Sequence, residues 1–308
     1  MDSNISSRPQ EPAAQSATQS DFQPSMSGRY AQDRLFKAAA WGATGVAVAI
    51  LAWLLLTILI DGLGTLNWNF IQSFPSRKPE QAGILAAITG TMWLMLVVAS
   101  VSFPVGVGAG IYLEEFAEDN WFTRFVEINI SNLAGVPSII YGLLGLAVFV
   151  RVFEPITGGR TILSGGLTLS LLILPIIIVS TREALRAVPN SMRLAGYALG
   201  ANTWQVVWNQ VLPQAMPGIL TGVILALSRA IGDTAPLIAI GAVVFIRSTP
   251  SGLQSPFTAM PIQIYNWIGR PQEEFHHIAA SGIIVLMAAL LAMNAIAIYL
   301  RNHFQNQK

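Results

Sequence analysis

Cysteine is absent from this 308-residue sequence. That absence removes disulfides, iron–sulfur clusters, thiolate zinc sites and cysteine catalysis together. Charge is scarce as well: Asp, Glu, Lys and Arg make up 11% of the chain, against about 25% in a typical soluble protein. Hydrophobic residues are 53% and mean hydropathy is +0.55. So few charges cannot coat a water-facing surface, which excludes a water-soluble monomer. Disorder is excluded for everything but the N-terminal tail, because disordered chains are polar and charged. A net charge of +1 provides no broad basic field, so nucleic acid is not an expected partner.

Catalytic signatures are missing too. There is no G-x-x-x-x-G-K-[ST], so the chain is not expected to bind and hydrolyse ATP on its own, and there is no H-E-x-x-H. His276 and His277 are adjacent, and neighbours on a helix point about 100° apart, a poor geometry for sharing a metal. Ser138, Ser170 and Ser228 lie in or near apolar stretches, with no histidine at the same depth to activate them. The expectation is a non-enzyme with no metal and no cofactor.

What is present is a set of long charge-free gaps: 38–60, 81–113, 128–150, 161–181, 194–228 and 275–300. About 20 apolar residues carry a helix across a ~30 Å hydrocarbon core. The runs are continuously apolar rather than alternating, which argues against barrel strands. The expected architecture is an all-α polytopic membrane protein with six transmembrane helices, near 38–60, 84–113, 133–152, 162–180, 215–246 and 278–300. A flexible cytoplasmic N-terminal tail (1–36) precedes the six-span membrane domain (37–302), and a short C-terminal tail (303–308) follows. Pro104 interrupts the second span and Pro236 the fifth. Gly106-x-x-x-Gly110 and Gly218-x-x-x-Gly222 read as helix-packing faces. With six spans and the termini inside, ten Lys and Arg lie on the inner side and six on the outer. This bias predicts a multi-pass protein of the lipid bilayer with both termini cytoplasmic.

The segment joining spans four and five, 181–213, is the most informative. Ser191 follows Pro189-Asn190 and is placed to cap a short helix, which Gly200 ends in a left-handed conformation. Asn202 or Thr203 caps a second helix, stopped by Pro213. On that helix Trp204, Val207, Trp208 and Val211 share one face, giving an amphipathic surface suited to the membrane interface. Ala195, Gly196, Ala198 and Gly200 are small, and small side chains let a helix backbone sit deep in a partner's groove. A tight connector with no partner is the competing reading.

A small-residue helix, then Gly200, then about eleven residues, then Leu212-Pro213 resembles the cytoplasmic coupling loop of ABC-importer permeases. Leu194-Ala195-Gly196 stands where that loop usually reads Glu-Ala-Ala, and Gln210 replaces the usual isoleucine. Further stretches resemble phosphate-import permeases of the PstA type: Gly83–Thr91, Pro104–Glu115, Asn132–Gly142 and Pro217–Leu237, the last containing Ser228-Arg-Ala-Ile-Gly-Asp-Thr234. Asp233 stands where the family usually has Glu. The resemblance covers about residues 35–300. It implies the type I ABC-importer permease fold, a short coupling helix, and ATP-driven import of inorganic phosphate across a prokaryotic inner membrane. It also implies partners: an ATP-binding subunit in two copies, a second homologous permease and an extracytoplasmic phosphate-binding protein. Coupling to the ATPase would fall to Ala195, Gly196, Leu199, Gly200, Leu212 and Pro213.

Arg229 and Asp233 are the only formal charges well inside an expected span. The two sit at i, i+4, on one helix face. Arginine at membrane depth costs about 2.5–3.5 kcal/mol on insertion scales, so such residues usually face a bundle interior or an aqueous path. Either the two neutralise each other and pin helix packing, or Arg229 offers a planar fork to phosphate. In the second reading Asp233 orients Arg229 or accepts a phosphate hydroxyl, and Thr234 and Ser228 add neutral hydrogen bonds along the path. Two alternatives remain: a permease for another oxyanion such as sulfate or molybdate, and a stand-alone secondary transporter. The latter usually shows an internal repeat, and none is visible between 38–152 and 162–300.

Overall fold

A computed structural model describes residues 26–242 and 245–305. All regular structure among these residues is helical. The chain divides into two units, residues 1–54 and 55–308. Helix α1 (Met26–Leu63) begins well inside the tail expected to run to residue 36. Residues 1–25 of that expected tail, and 306–308 of the C-terminal one, lie outside the described residues.

The second unit continues with α2 (Trp68–Gln72), capped by the Asn67 side chain. Helix α3 (Leu85–Ile111) continues past Pro104 and ends in a π turn, Tyr112–Phe116. Helix α4 (Trp121–Leu133), capped by Asn120, bends by 105° into α5 (Ser138–Gly145) and a second π turn, Leu146–Val152. The bend falls at Pro137, whose ring forbids a helical turn in the residue before it. Helices α6 (Glu154–Thr157) and α7 (Ile162–Arg186) follow. Next come α8 (Asn190–Ala198), α9 (Thr203–Val206) with a third π turn (Val207–Val211), and α10 (Leu212–Gly232). Helices α11 (Ala235–Ile240), α12 (Met260–Ile268) and α13 (Glu273–Gln305) complete the chain. Among the described residues five helices are long and apolar enough to cross a membrane, and six if the bent α4–α5 pair is one span.

The fifth crossing differs most from expectation. It runs over Thr203–Gly232, not 215–246. Pro213 does not stop it, because the π turn lies immediately before this proline. The wider turn gives the ring room that an α-helix would deny it. The stop comes later, at Asp233, whose backbone is extended (φ −84°, ψ 105°). Pro236 cannot donate to the Gly232 carbonyl, so the chain restarts as α11.

Helix α7 is the central post. Lipid gives helices no hydrophobic reason to associate, so close packing must hold the bundle. Glycine provides it. A Cβ on Gly106 would stand 2.7 Å from Ile177, and one on Gly110 2.7 Å from Thr181, so α3 lies parallel to α7. Gly218 abuts Ala184 and Gly222 abuts Ser180, so α10 lies antiparallel. Around this seam Leu94, Val98, Leu169, Ile173, Ile177, Ile219 and Val223 form the main core. A second cluster, Phe70, Ile84, Trp267 and Phe275, closes the end formed by α2 and α12.

Candidate functional site

Depth can be read from the packing. Gly218 meets Ala184 and Gly222 meets Ser180, four residues up one helix for four down the other. Arg229 therefore lies level with about Ile173, near the middle of α7. Gly145 meets Thr168, and α5 runs on α7 so that Ser138 falls near Pro175. The break after Gly232 is thus at mid-bundle, where non-helical backbone is tolerated only if it is covered by protein or lines an aqueous path.

Two features assemble this region. Gly142 has no side chain to separate α5 from α11: a Cβ there would lie 2.6 Å from Ala239 Cβ and 2.7 Å from Pro236 Cα. The resulting approach lets Ser138 Oγ, in the first turn of α5, donate to Asp233 Oδ1 at 3.0 Å. Asp233 spends its hydrogen bond on Ser138. Arg229 makes no hydrogen bond or ion pair among the described residues. Asp233 is the first residue past α10, and its carboxylate is taken by Ser138 rather than by Arg229, so the expected i, i+4 ion pair is not formed. Arg229 instead sits on an exposed stripe with Leu225 and Gly232.

The other residues expected along the path divide. Thr234 lies in the break and is half-buried. Ser228 turns into the bundle, donating to the Ile224 carbonyl at 2.8 Å and to Asn294 Oδ1 of α13 at 2.7 Å. Ser138 stands in the sequence as an unsupported nucleophile and within the Asn132–Gly142 stretch; its use as a donor to a carboxylate 95 residues away has no local signal.

The segment expected to couple to an ATPase is a helix–turn–helix. Gly200 has φ +80°, the left-handed position expected of it. Asn202 caps α9 and forms a reciprocal capping box with Gln205. Ser191 does not cap α8, which starts at Asn190 after Pro189. Gly196 faces inward, its missing Cβ position 2.7 Å from Val206 and 3.0 Å from Gln210, so its smallness serves packing inside this chain. Leu212 is buried and Pro213 half-buried at the foot of α10. The outward face carries Leu194, Ala195, Tyr197 and Leu199, the last 85% exposed.

An ion-pair network underlies α8. Consecutive glutamates in the π turn after α3 diverge. Glu114 takes Arg182 Nε at 3.1 Å and Arg186 Nε at 2.8 Å. Glu115 takes Arg193 Nη2 at 2.6 Å and Nε at 3.2 Å. Glu127 of α4 adds a 2.6 Å pair to Arg182. Hydrogen bonding to Glu115 raises the Arg193 pKa above its ordinary value. His276 and His277 diverge: His276 Nε2 lies 3.0 Å from the Arg270 carbonyl, and His277 faces Asp61 at 4.0 Å.

The chain is a multi-pass helical bundle with a helix break at mid-depth and an outward-facing helix–turn–helix. The family described as binding-protein-dependent transport system inner membrane component matches residues 102–307. The phosphate transport system permease protein PstA of Haemophilus influenzae is 32% identical over 259 residues, covering 84% of this chain and 88% of that protein. The probable ABC transporter permease protein YqgI of Bacillus subtilis is 30% identical over 278 residues, covering 85% and 93%. A chain from the crystal structure of a bacterial alginate ABC transporter superposes with a TM-score of 0.60 at 13% identity, covering 88% of this chain and 94% of that one. At that identity the likeness concerns the fold. This chain belongs to the family of binding-protein-dependent transport system inner membrane components.

Proposed function

We propose that this chain is one permease subunit of an ATP-driven importer of inorganic phosphate, with the mid-depth break at Asp233 on its translocation path. The observation that carries the reading is Arg229: a guanidinium at the middle of the bundle, on an exposed stripe, without a hydrogen bond or ion pair among the described residues. Facing lipid, it would cost about 2.5–3.5 kcal/mol or more. A second homologous permease packed over the stripe removes that cost and turns the fork toward a shared path. A planar guanidinium fits two oxygens of a phosphate.

Asp233 then has a discriminating task. One carboxylate oxygen is held by Ser138, which leaves acceptor capacity for a hydroxyl. Hydrogen phosphate has an O–H to offer, and sulfate at neutral pH has none, so an unprotonated carboxylate favours the first anion and repels the second. The relative named for phosphate transport supports this choice of anion.

The face of α8 bearing Leu194, Tyr197 and Leu199 is the docking point for a separate ATP-binding subunit, in two copies per complex, on the cytoplasmic side where both termini lie. An extracytoplasmic binding protein delivers phosphate to the opposite face. The test is uptake of labelled phosphate by vesicles holding the chain with its companion permease, ATP-binding subunit and binding protein. Uptake should need ATP and should persist under excess sulfate. Sulfate competing as well as unlabelled phosphate would overturn the assignment of the anion.

A further inference from the structure

Helix α8 is nine residues long and presents most of its surface outward. If an ATP-binding subunit pulls on it, something must carry the load into the spans. One route is the chain itself, through Gly200 and α9 into α10. The structure holds a second route in a single side chain. Arg193 of α8 donates to both carboxylate oxygens of Glu115, at 2.6 Å and 3.2 Å. It also donates to the Val188 carbonyl at 2.9 Å and the Leu185 carbonyl at 3.0 Å. The Leu185 carbonyl belongs to the last turn of α7, and Val188 to the turn that follows it. Glu115 belongs to the π turn that ends α3. One guanidinium therefore ties the short helix to two spans.

The contact is built to hold. The Glu115 side chain is 6% exposed and that of Arg193 16%, so water screens the pair little. The fork geometry is bidentate, which fixes orientation as well as distance. The neighbouring Glu114 is committed elsewhere, to Arg182 and Arg186, and does not compete for Arg193. By contrast the exposed pair Arg124–Asp119, with both side chains more than two-thirds exposed, is of the kind that contributes little.

We infer that Glu115 and Arg193 are positioning residues for transport, a joint that makes α8 and the end of α3 move as one body. This rests on the reading of α8 as the docking point for an ATP-binding subunit. Helix α3 lies along α7 for most of its length, so a displacement entering at Glu115 is delivered along the whole bundle. Without the joint, α8 stays docked and hydrolysis continues, while the spans receive motion through α9 alone.

The experiment uses the complete reconstituted complex and measures labelled phosphate moved per ATP hydrolysed. Glu115→Arg and Arg193→Glu should each lower that ratio by about tenfold, within the usual range of coupling between sites. The exchange carrying both changes should restore it to within about twofold. A second arm guards against misfolding. The chain has no cysteine of its own, so Glu115→Cys with Arg193→Cys can be bridged by a short bifunctional thiol reagent. The unbridged pair should be uncoupled, and bridging should recover the ratio. Single variants with the normal ratio, an exchange no better than the singles, or a bridge that leaves transport uncoupled would each overturn the joint. The underlying reading is tested separately by Leu199→Glu, which should lose the ATP-binding subunit in a pull-down. Retention of that subunit with normally stimulated hydrolysis would remove the docking point and the joint with it. Loss of the subunit, together with normal coupling in the Glu115 and Arg193 variants, would remove the joint alone.

Discussion

Replacing Arg229 by glutamine separates a transport role from a packing role. Were Arg229 paired with Asp233, the single change would strand a buried carboxylate and destabilise the bundle by several kcal/mol, and removing both charges would be milder. The structure points the other way, since Asp233 is held by Ser138 at 3.0 Å and not by Arg229. Arg229→Gln should therefore insert, fold and assemble as the unmodified chain does. What it loses is a charged donor to the anion. A hydrogen bond to a charged group contributes about 1.5–3 kcal/mol, and each ~1.4 kcal/mol is a factor of ten in rate, so phosphate uptake should slow by about 10- to 150-fold. Arg229→Lys keeps the charge and loses the planar fork, and should fall between. The assay is initial uptake in vesicles, normalised to complex recovered with the ATP-binding subunit. Uptake by Arg229→Gln within twofold of the unmodified chain, at equal recovery, would refute the reasoning and return Arg229 to a structural role.

Gly142→Ala should lower the thermal midpoint of the detergent-solubilised complex and slow uptake together. Its new methyl would sit 2.6 Å from Ala239 Cβ and 2.7 Å from Pro236 Cα, neither of which can retract, so α5 must move off α11 at a cost of about 1–3 kcal/mol; an unchanged midpoint would contradict this. Gly200→Val should insert normally but impair coupling to the ATP-binding subunit. The position has open space for a side chain, yet φ is +80°, a strain of about 1–3 kcal/mol for a β-branched residue. Gly200→Asn should be tolerated, since asparagine enters the left-handed region readily, and equal behaviour of Val and Asn in stimulated ATP hydrolysis would show that conformation does not matter there.

Most of the architecture is legible in the sequence because charge cannot sit in hydrocarbon. The gaps between charged clusters mark α1, α3, α7 and α13 directly, and the small-residue spacings at Gly106, Gly110, Gly218 and Gly222 are the packing faces they suggest. The fifth span is misplaced by a dozen residues for a local reason. Pro213 reads as a stop by helix propensity, but a π turn absorbs it, whereas Pro236, read as a bend within a continuous span, coincides with a true break. The site is missed for another reason. Arg229 and Asp233 stand four residues apart at the end of α10, but the Asp233 carboxylate finds Ser138 instead. That contact depends on how closely α5 and α11 approach, which is set by Gly142, a residue with no periodic signature. The Glu115–Arg193 pair is 78 residues apart in sequence, and nothing short of the tertiary fold joins it.

The displaced fifth span changes the mechanics. A helix over 215–246 would start in the membrane and leave the protruding segment attached by a flexible corner at Pro213. The observed crossing runs as α9, a π turn and α10 from Thr203, beside α8, to Gly232, beside the break. At 1.5 Å per residue Arg229 is roughly 39 Å from Thr203 along one rod. Helices bend little over such a length except at prolines and π turns. Those irregularities are concentrated near the α8 end, in the π turn at Val207–Val211 with Pro213 just beyond it, and at Pro217. Beyond Pro217 the rod is regular up to Gly232. A rotation of the rod beyond Pro217 is therefore carried rigidly to Arg229, while the break at Asp233 leaves α11 packed on α5 through Gly142. On the proposed translocation path, motion of this rod against α5 and α11 would fall at the break, where the Asp233 carboxylate is held by Ser138.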